Sequence, residues 1–75
     1  AASDVYKRQI ENLAALYPEE ASFHLRASLL RYASDDREGT VEALRQFLKV
    51  VDDEDPFLRQ AARLHLHLTS SKATP

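Results

Sequence analysis

One recurrence narrows the possible folds of this chain more than any other feature. Phe23, Ala27 and Leu30 return 34 residues later as Phe57, Ala61 and Leu64. Both sets read aromatic-x3-small-x2-large, a spacing of three and four that brings side chains back to one face of an α-helix. A second match runs at a spacing of 31. Ile10-Glu11-x-Leu13 pairs with Val41-Glu42-x-Leu44, and Leu16 pairs with Phe47. The two offsets differ because the loop after Leu48 is three residues longer than the one after Tyr17. Two helix types therefore alternate along the chain. Periods of this size mark stacked hairpins, each with apolar flanks that a neighbour must cover.

Composition agrees with a helical reading. The sequence has one Gly and three Pro in 75 residues, and the Ala, Leu, Arg and Glu that dominate it are good helix formers. Four helices are expected. The first carries Ile10, Leu13 and Leu16–Tyr17 on one face and stops at Pro18. The second spans 19–34, with Glu19 and Glu20 in its first turn, where carboxylates suit the positive helix end. A third follows SDDREG, with Asp35 as N-cap and Glu38 three residues on in a capping-box pattern. Val41, Leu44, Phe47, Leu48 and Val51 form its apolar face. The acidic run 52–55 is a loop, and Asp55-Pro56 caps and opens the fourth helix, which carries Phe57, Ala61, Leu64 and Leu68. Residues 69–75, TSSKATP, read as a disordered polar tail. The expected fold class is all-α: antiparallel hairpins stacked as a short α-solenoid of about four helices.

Residues 1–9, AASDVYKRQ, resemble in order the translation of an adapter used in transposase-based library preparation. The expectation is that they are an artefact, and that 10–68 is a piece of a longer repeat protein. A chain this short buries only about 60% of its unfolded surface. Without Cys it lacks disulfides, so neighbouring repeats of the parent chain are the expected source of missing stability. The net charge of −2 speaks against a nucleic-acid surface. No apolar run approaches the roughly 18 residues of a membrane span.

Chemistry-bearing constellations are sparse. His65 and His67 lie about 200° apart on a helix and cannot grip one ion together. Ser28, Ser34, Ser70 and Ser71 do not sit in a nucleophile-elbow motif. Acidic pairs fall in loops and first turns, where capping explains them. Arg26, Arg31, Arg45, Lys49, Arg59 and Arg63 are offset by the acidic run. No enzyme activity, cofactor or metal is expected.

The aromatic-small-large pattern resembles the first helix of the tetratricopeptide repeat family. Thr40, Leu44, Phe47 and Pro56 match its second helix loosely, with Phe47 large where the family prefers Ala and Pro56 several residues late. Asp35-Asp36 stand at the family's inter-helix Gly-Asp. The resemblance covers 10–68 and implies a scaffold module with a concave face lined by first helices. Carried across, His24, Ser28, Arg31 and Tyr32, with Leu58, Ala62, His65 and Leu66, would face a protein or peptide partner. His24 and Ser28 do not support the carboxylate clamp of some members. Alternatives left open are a regulatory appendage of a larger enzyme or transcription regulator, and a small dimerising bundle.

Overall fold

The computed structural model describes the backbone of residues 2–70 and the side chains of residues 4–70. Among these residues there are four helices and no strands: α1 (Ala2–Leu16), α2 (Ala21–Ala33), α3 (Arg37–Val50) and α4 (Leu58–Ser70). Each packs against the next, and α2 against α3 is the most extensive pairing. The all-α architecture expected from the spacing is therefore present. α4 continues through Thr69 and Ser70, which the sequence reading put in a tail; residues 71–75 lie outside the described residues.

Two contiguous clusters hold the helices together. Ile10, Ala27 and Ala43 are buried where α1, α2 and α3 meet, with Leu13 and Leu30 packed around them. Leu44, Phe47 and Ala61 form the second, joined by Ala21 and Leu25 of α2, Leu48 and Val51, and Leu64 and Leu68 of α4. Ala27 and Ala61, matched by the 34-residue offset, are 3% and 4% exposed. A small side chain at each lets the facing helix come close. Leu30 and Leu64 are likewise both half-buried.

The aromatic members of the repeat are not equivalent. Phe23, the third residue of α2, is half-buried with its ring 6.2 Å from that of Tyr17. Phe57 lies just before α4 and is 50% exposed. The longer loop places it ahead of the regular helix. Leu16 and its counterpart Phe47 differ even more, at 70% and 1% exposed. Leu16 and Tyr17 thus do not belong to the buried face of α1, because among the described residues α2 alone packs extensively against it.

Chain reversals depart from expectation by a residue or two. α2 begins at Ala21 with Glu20 as its N-cap, so Glu19 and Glu20 precede its first turn. Between α2 and α3 the N-cap is Asp36, not Asp35. The Asp36 carboxylate accepts from Gly39 N–H at 2.9 Å. Asp35 instead takes a left-handed φ of 62°. Asp36 N–H donates to the Arg31 carbonyl and Asp35 N–H to that of Tyr32. This is the Schellman pairing, which ordinarily places Gly at the left-handed residue. Because Gly39 occupies the third helical position, no side chain there reaches back and the capping box is not formed. At the other loop, the Asp55 carboxylate accepts from Phe57 N–H at 2.8 Å. Pro56 and Phe57 form a turn, and regular helix starts only at Leu58.

Candidate binding groove

Two depressions lie on opposite sides of α3. The first is bordered by α1 and α3, with α2 beneath, and holds about 210 Å³. Glu11, His24, Arg31, Glu42 and Gln46 line it beside Ala14, Ala15, Ala27 and Ala43. Its polar groups are largely occupied by one another. Arg31 Nε donates to the Glu11 carboxylate at 3.0 Å, and Arg31 Nη1 donates to the Gly39 carbonyl at 2.9 Å. One guanidinium therefore fastens α1, α2 and the start of α3, using the planar donor fork that suits Arg to such bridges. Glu42 accepts from Gln46 at 3.0 Å and Arg45 at 3.2 Å. The Gln46 hydrogen bond is the chief cause that holds the Glu42 carboxyl below its ordinary value; desolvation opposes it, and Arg45, Lys49 and Arg31 add smaller lowering effects.

The second depression lies between α2 and α4, with Leu44 of α3 as its floor, and holds about 290 Å³. Leu25, Leu29, Phe57 and Leu64 form most of its wall. Ser28, Gln60 and Ala61 complete it. Leu29 is 55% exposed and Phe57 50% exposed. Ser28 adds little polarity, because its hydroxyl donates to the Leu25 carbonyl at 2.6 Å. Helix spacing explains the wall: Leu25, Ser28 and Leu29 fall on one side of α2, and Phe57, Gln60, Ala61 and Leu64 on one side of the α4 segment.

The residues expected to face a partner divide. His24 is buried, and its Nε2–H donates to the Pro18 carbonyl at 2.8 Å, tying α2 to the preceding turn. Ser28 is also buried, at the edge of the α2/α4 groove. Arg31 is engaged by Glu11 and Gly39 on the other side of α2. These three belong to the packed structure and do not form an open surface. Tyr32 is exposed beside Asp35, Asp36, Arg37, Thr40 and Leu68, away from the groove wall. On α4, Ala62 and Leu66 are exposed, while Leu58 and His65 are half-buried. None of these four lines the groove. His65 Nε2 is buried without a hydrogen-bond partner among the described residues.

A groove between the second and fourth helices is therefore present, but its lining is turned by one residue from the expected set. One residue is about 100° of helix rotation. The residues that sequence reasoning missed are Leu25, Leu29 and Gln60. The signal was available in part, because Phe57, Ala61 and Leu64 were recognised as a stripe and assigned only to the core.

Among the described residues no helix is long and apolar enough to cross a membrane. No family model, curated protein or solved structure matches the chain.

Proposed function

We propose that this chain is a tetratricopeptide-like helical module that binds a segment of another protein in the groove between α2 and α4, and that it performs no catalysis. One observation carries the reading: a solvent-open apolar groove whose two walls, Leu25–Leu29 and Phe57–Leu64, come from the two helices related by the 34-residue repeat. Large apolar side chains left half-exposed and gathered around one concavity mark interaction sites more than scattered ones do. The equal burial of Ala27 and Ala61 supports the repeat relationship. Binding would follow from shape, with stacked helices presenting a pre-formed surface that needs little ordering on contact.

Peptide-display selection against the chain, followed by NMR shift mapping, tests this. Selected peptides should perturb Leu25, Leu29, Phe57 and Leu64, and Phe57→Ser should weaken binding at least tenfold while the far-UV circular dichroism stays unchanged. Peptides that map to the α1/α3 side, or that bind Phe57→Ser as well as the parent, would refute it.

A further inference from the structure

One end of the proposed groove is acidic. α3 runs antiparallel to both α2 and α4, with Arg31 bonded to the Gly39 carbonyl and Arg37 to that of Leu68. The first turns of α2 and α4 therefore share one end of the molecule. That end carries Glu19 and Glu20 before α2 and the run Asp52-Asp53-Glu54-Asp55 before α4. The run reaches the groove itself. Gln60 lines both the groove and a more open depression of about 460 Å³, where Asp53, Asp55 and Arg59 also contribute. The Asp55 carboxylate accepts from the N–H of Phe57, a wall residue of the groove. Asp52 accepts from the Glu54 N–H at 3.1 Å. Asp53 and Glu54 are exposed, and their carboxylates make no hydrogen bond or ion pair among the described residues. Arg59 is the single cation lining either depression, and Arg26 and Arg63 line neither.

Resting on the groove reading, we propose that the partner is a protein segment that is apolar along the groove and basic at one end. Its large apolar side chains lie between Leu29 and Phe57, over Leu44. Its Lys or Arg residues emerge past Gln60, beside Asp53 and Glu54. The change of character along the groove selects this occupant. The residues that line the groove carry no charge, so the middle of the segment gains by burying apolar surface. At the Phe57 end, the unpaired carboxylates reward cations and repel an acidic segment. The same charge disfavours other occupants. A nucleic acid would bring its phosphates against the acidic run. A second copy, paired about a two-fold axis at Phe57, would set one acidic run against the other.

Short synthetic peptides with Leu and Phe anchors supply the test. One type ends in a Lys cluster, a second in a Glu cluster, and a third keeps the Lys end but has its anchors changed to Ser. Each is made in both chain directions, because the groove dictates which end of the segment is basic and not how its backbone runs. Fluorescence anisotropy measures affinity, and NMR of the chain locates the contact. The better Lys peptide should bind about tenfold more tightly than either Glu peptide at low salt and lose most of that margin at high salt. It should perturb Leu29, Phe57, Gln60 and Asp53. The Ser-anchored peptides should bind about tenfold or more weakly than it. In the double variant D53K/E54K, which leaves the Asp52 and Asp55 hydrogen bonds in place, the Lys preference should disappear while the far-UV circular dichroism stays unchanged. Equal binding of Lys and Glu peptides at Leu29 and Phe57, or a Lys preference that survives D53K/E54K, would overturn the charge assignment while leaving the groove reading standing. Ser-anchored Lys peptides that bind as tightly as the anchored ones would overturn the proposal as charge attraction without the groove. Shifts at Leu29 and Phe57 that grow with the concentration of the chain alone would place a second copy there instead. Failure of every peptide to perturb those two residues would overturn both the proposal and the groove reading.

Discussion

Leu16 and Phe47 occupy matching places in the repeat, yet their truncations should differ by several kcal/mol. Phe47 is 1% exposed and sits among side chains from three helices, Ala21, Leu25, Leu44, Ala61, Leu64 and Leu68. Truncating a fully buried Phe to Ala costs about 3–5 kcal/mol, from lost transfer energy and the cavity left behind. A domain of this length has roughly 4–11 kcal/mol in total, so Phe47→Ala removes between about a quarter and all of it. Phe47→Leu keeps the chain folded and measurable, at a cost of about 1–1.5 kcal/mol. Leu16 is 70% exposed, and Leu16→Ala should change stability by no more than about 0.5 kcal/mol. Urea titrations followed by circular dichroism decide the matter. With a slope of about 1 kcal/mol per molar for a chain this small, the Phe47→Leu midpoint falls by about 1 M and the Leu16→Ala midpoint barely moves. A loss in Leu16→Ala equal to that in Phe47→Leu would refute the assignment of α1 as an uncovered edge. A midpoint that also rose with protein concentration would show a second copy covering it.

Four further outcomes follow from particular contacts. Asp35→Gly should stabilise by about 0.5–1 kcal/mol, since Gly removes the side-chain penalty at φ 62°; a lower thermal midpoint would contradict this. Gly39→Ala should fail to deliver the roughly 1 kcal/mol of helix propensity, because a Cβ there would collide with the Asp36 carboxylate and approach Arg31 Cδ to 2.9 Å; a full gain in a urea titration would show that the cap yields freely. A double-mutant cycle on Arg31→Gln and Glu11→Gln should give about 0.5–1 kcal/mol of coupling, more than the same cycle on Arg45 and Glu42, whose side chains are 58% and 52% exposed against 24% and 36%; equal couplings would argue against the bridge. The Glu42 carboxyl should titrate by NMR below its ordinary 4.5 and rise in Gln46→Ala; since the folded value is the lower one, its contribution to stability is present above the unfolded value and fades as pH falls through the folded one.

The helices were legible in the sequence because their apolar spacing is strong, and the buried pair Ala27 and Ala61 was legible because the repeat marks it. The cap was misplaced because Asp35 and Asp36 are chemically alike. Only the backbone reveals that Asp35 takes the left-handed position where Gly is usual. The lining of the α2/α4 depression was not legible for a different reason. α2 carries Phe23, Leu25, Ala27, Leu29 and Leu30 around much of its circumference, so periodicity alone does not say which stripe meets α3 and which stays open. His24 and Ser28 were expected at the surface because the family resemblance places those positions on the concave face. Their burial depends on acceptors that no spacing rule predicts, the Pro18 carbonyl for His24 and the Leu25 carbonyl for Ser28. The Arg31 bridge to Glu11 crosses twenty residues and is equally invisible to local patterns.

The two depressions differ in what a ligand could gain from them. In the one between α1 and α3, carboxylates, guanidinium and amide already satisfy one another, so a newcomer would have to replace hydrogen bonds with hydrogen bonds for little net return. In the one between α2 and α4, Leu29 and Phe57 remain in water, and covering them releases hydrophobic free energy that the chain alone does not collect. The same groove lies beside the less supported of its two walls. Among the described residues α2 is packed extensively by both α1 and α3, whereas α4 is packed extensively by α3 alone, with Arg37 Nη2 donating to the Leu68 carbonyl at 2.9 Å as an added tie. An occupant bridging Leu29 to Phe57 and Leu64 would supply α4 with a second neighbour. Since whatever binds only the folded state stabilises it, a ligand bound as proposed would also raise the stability of α4.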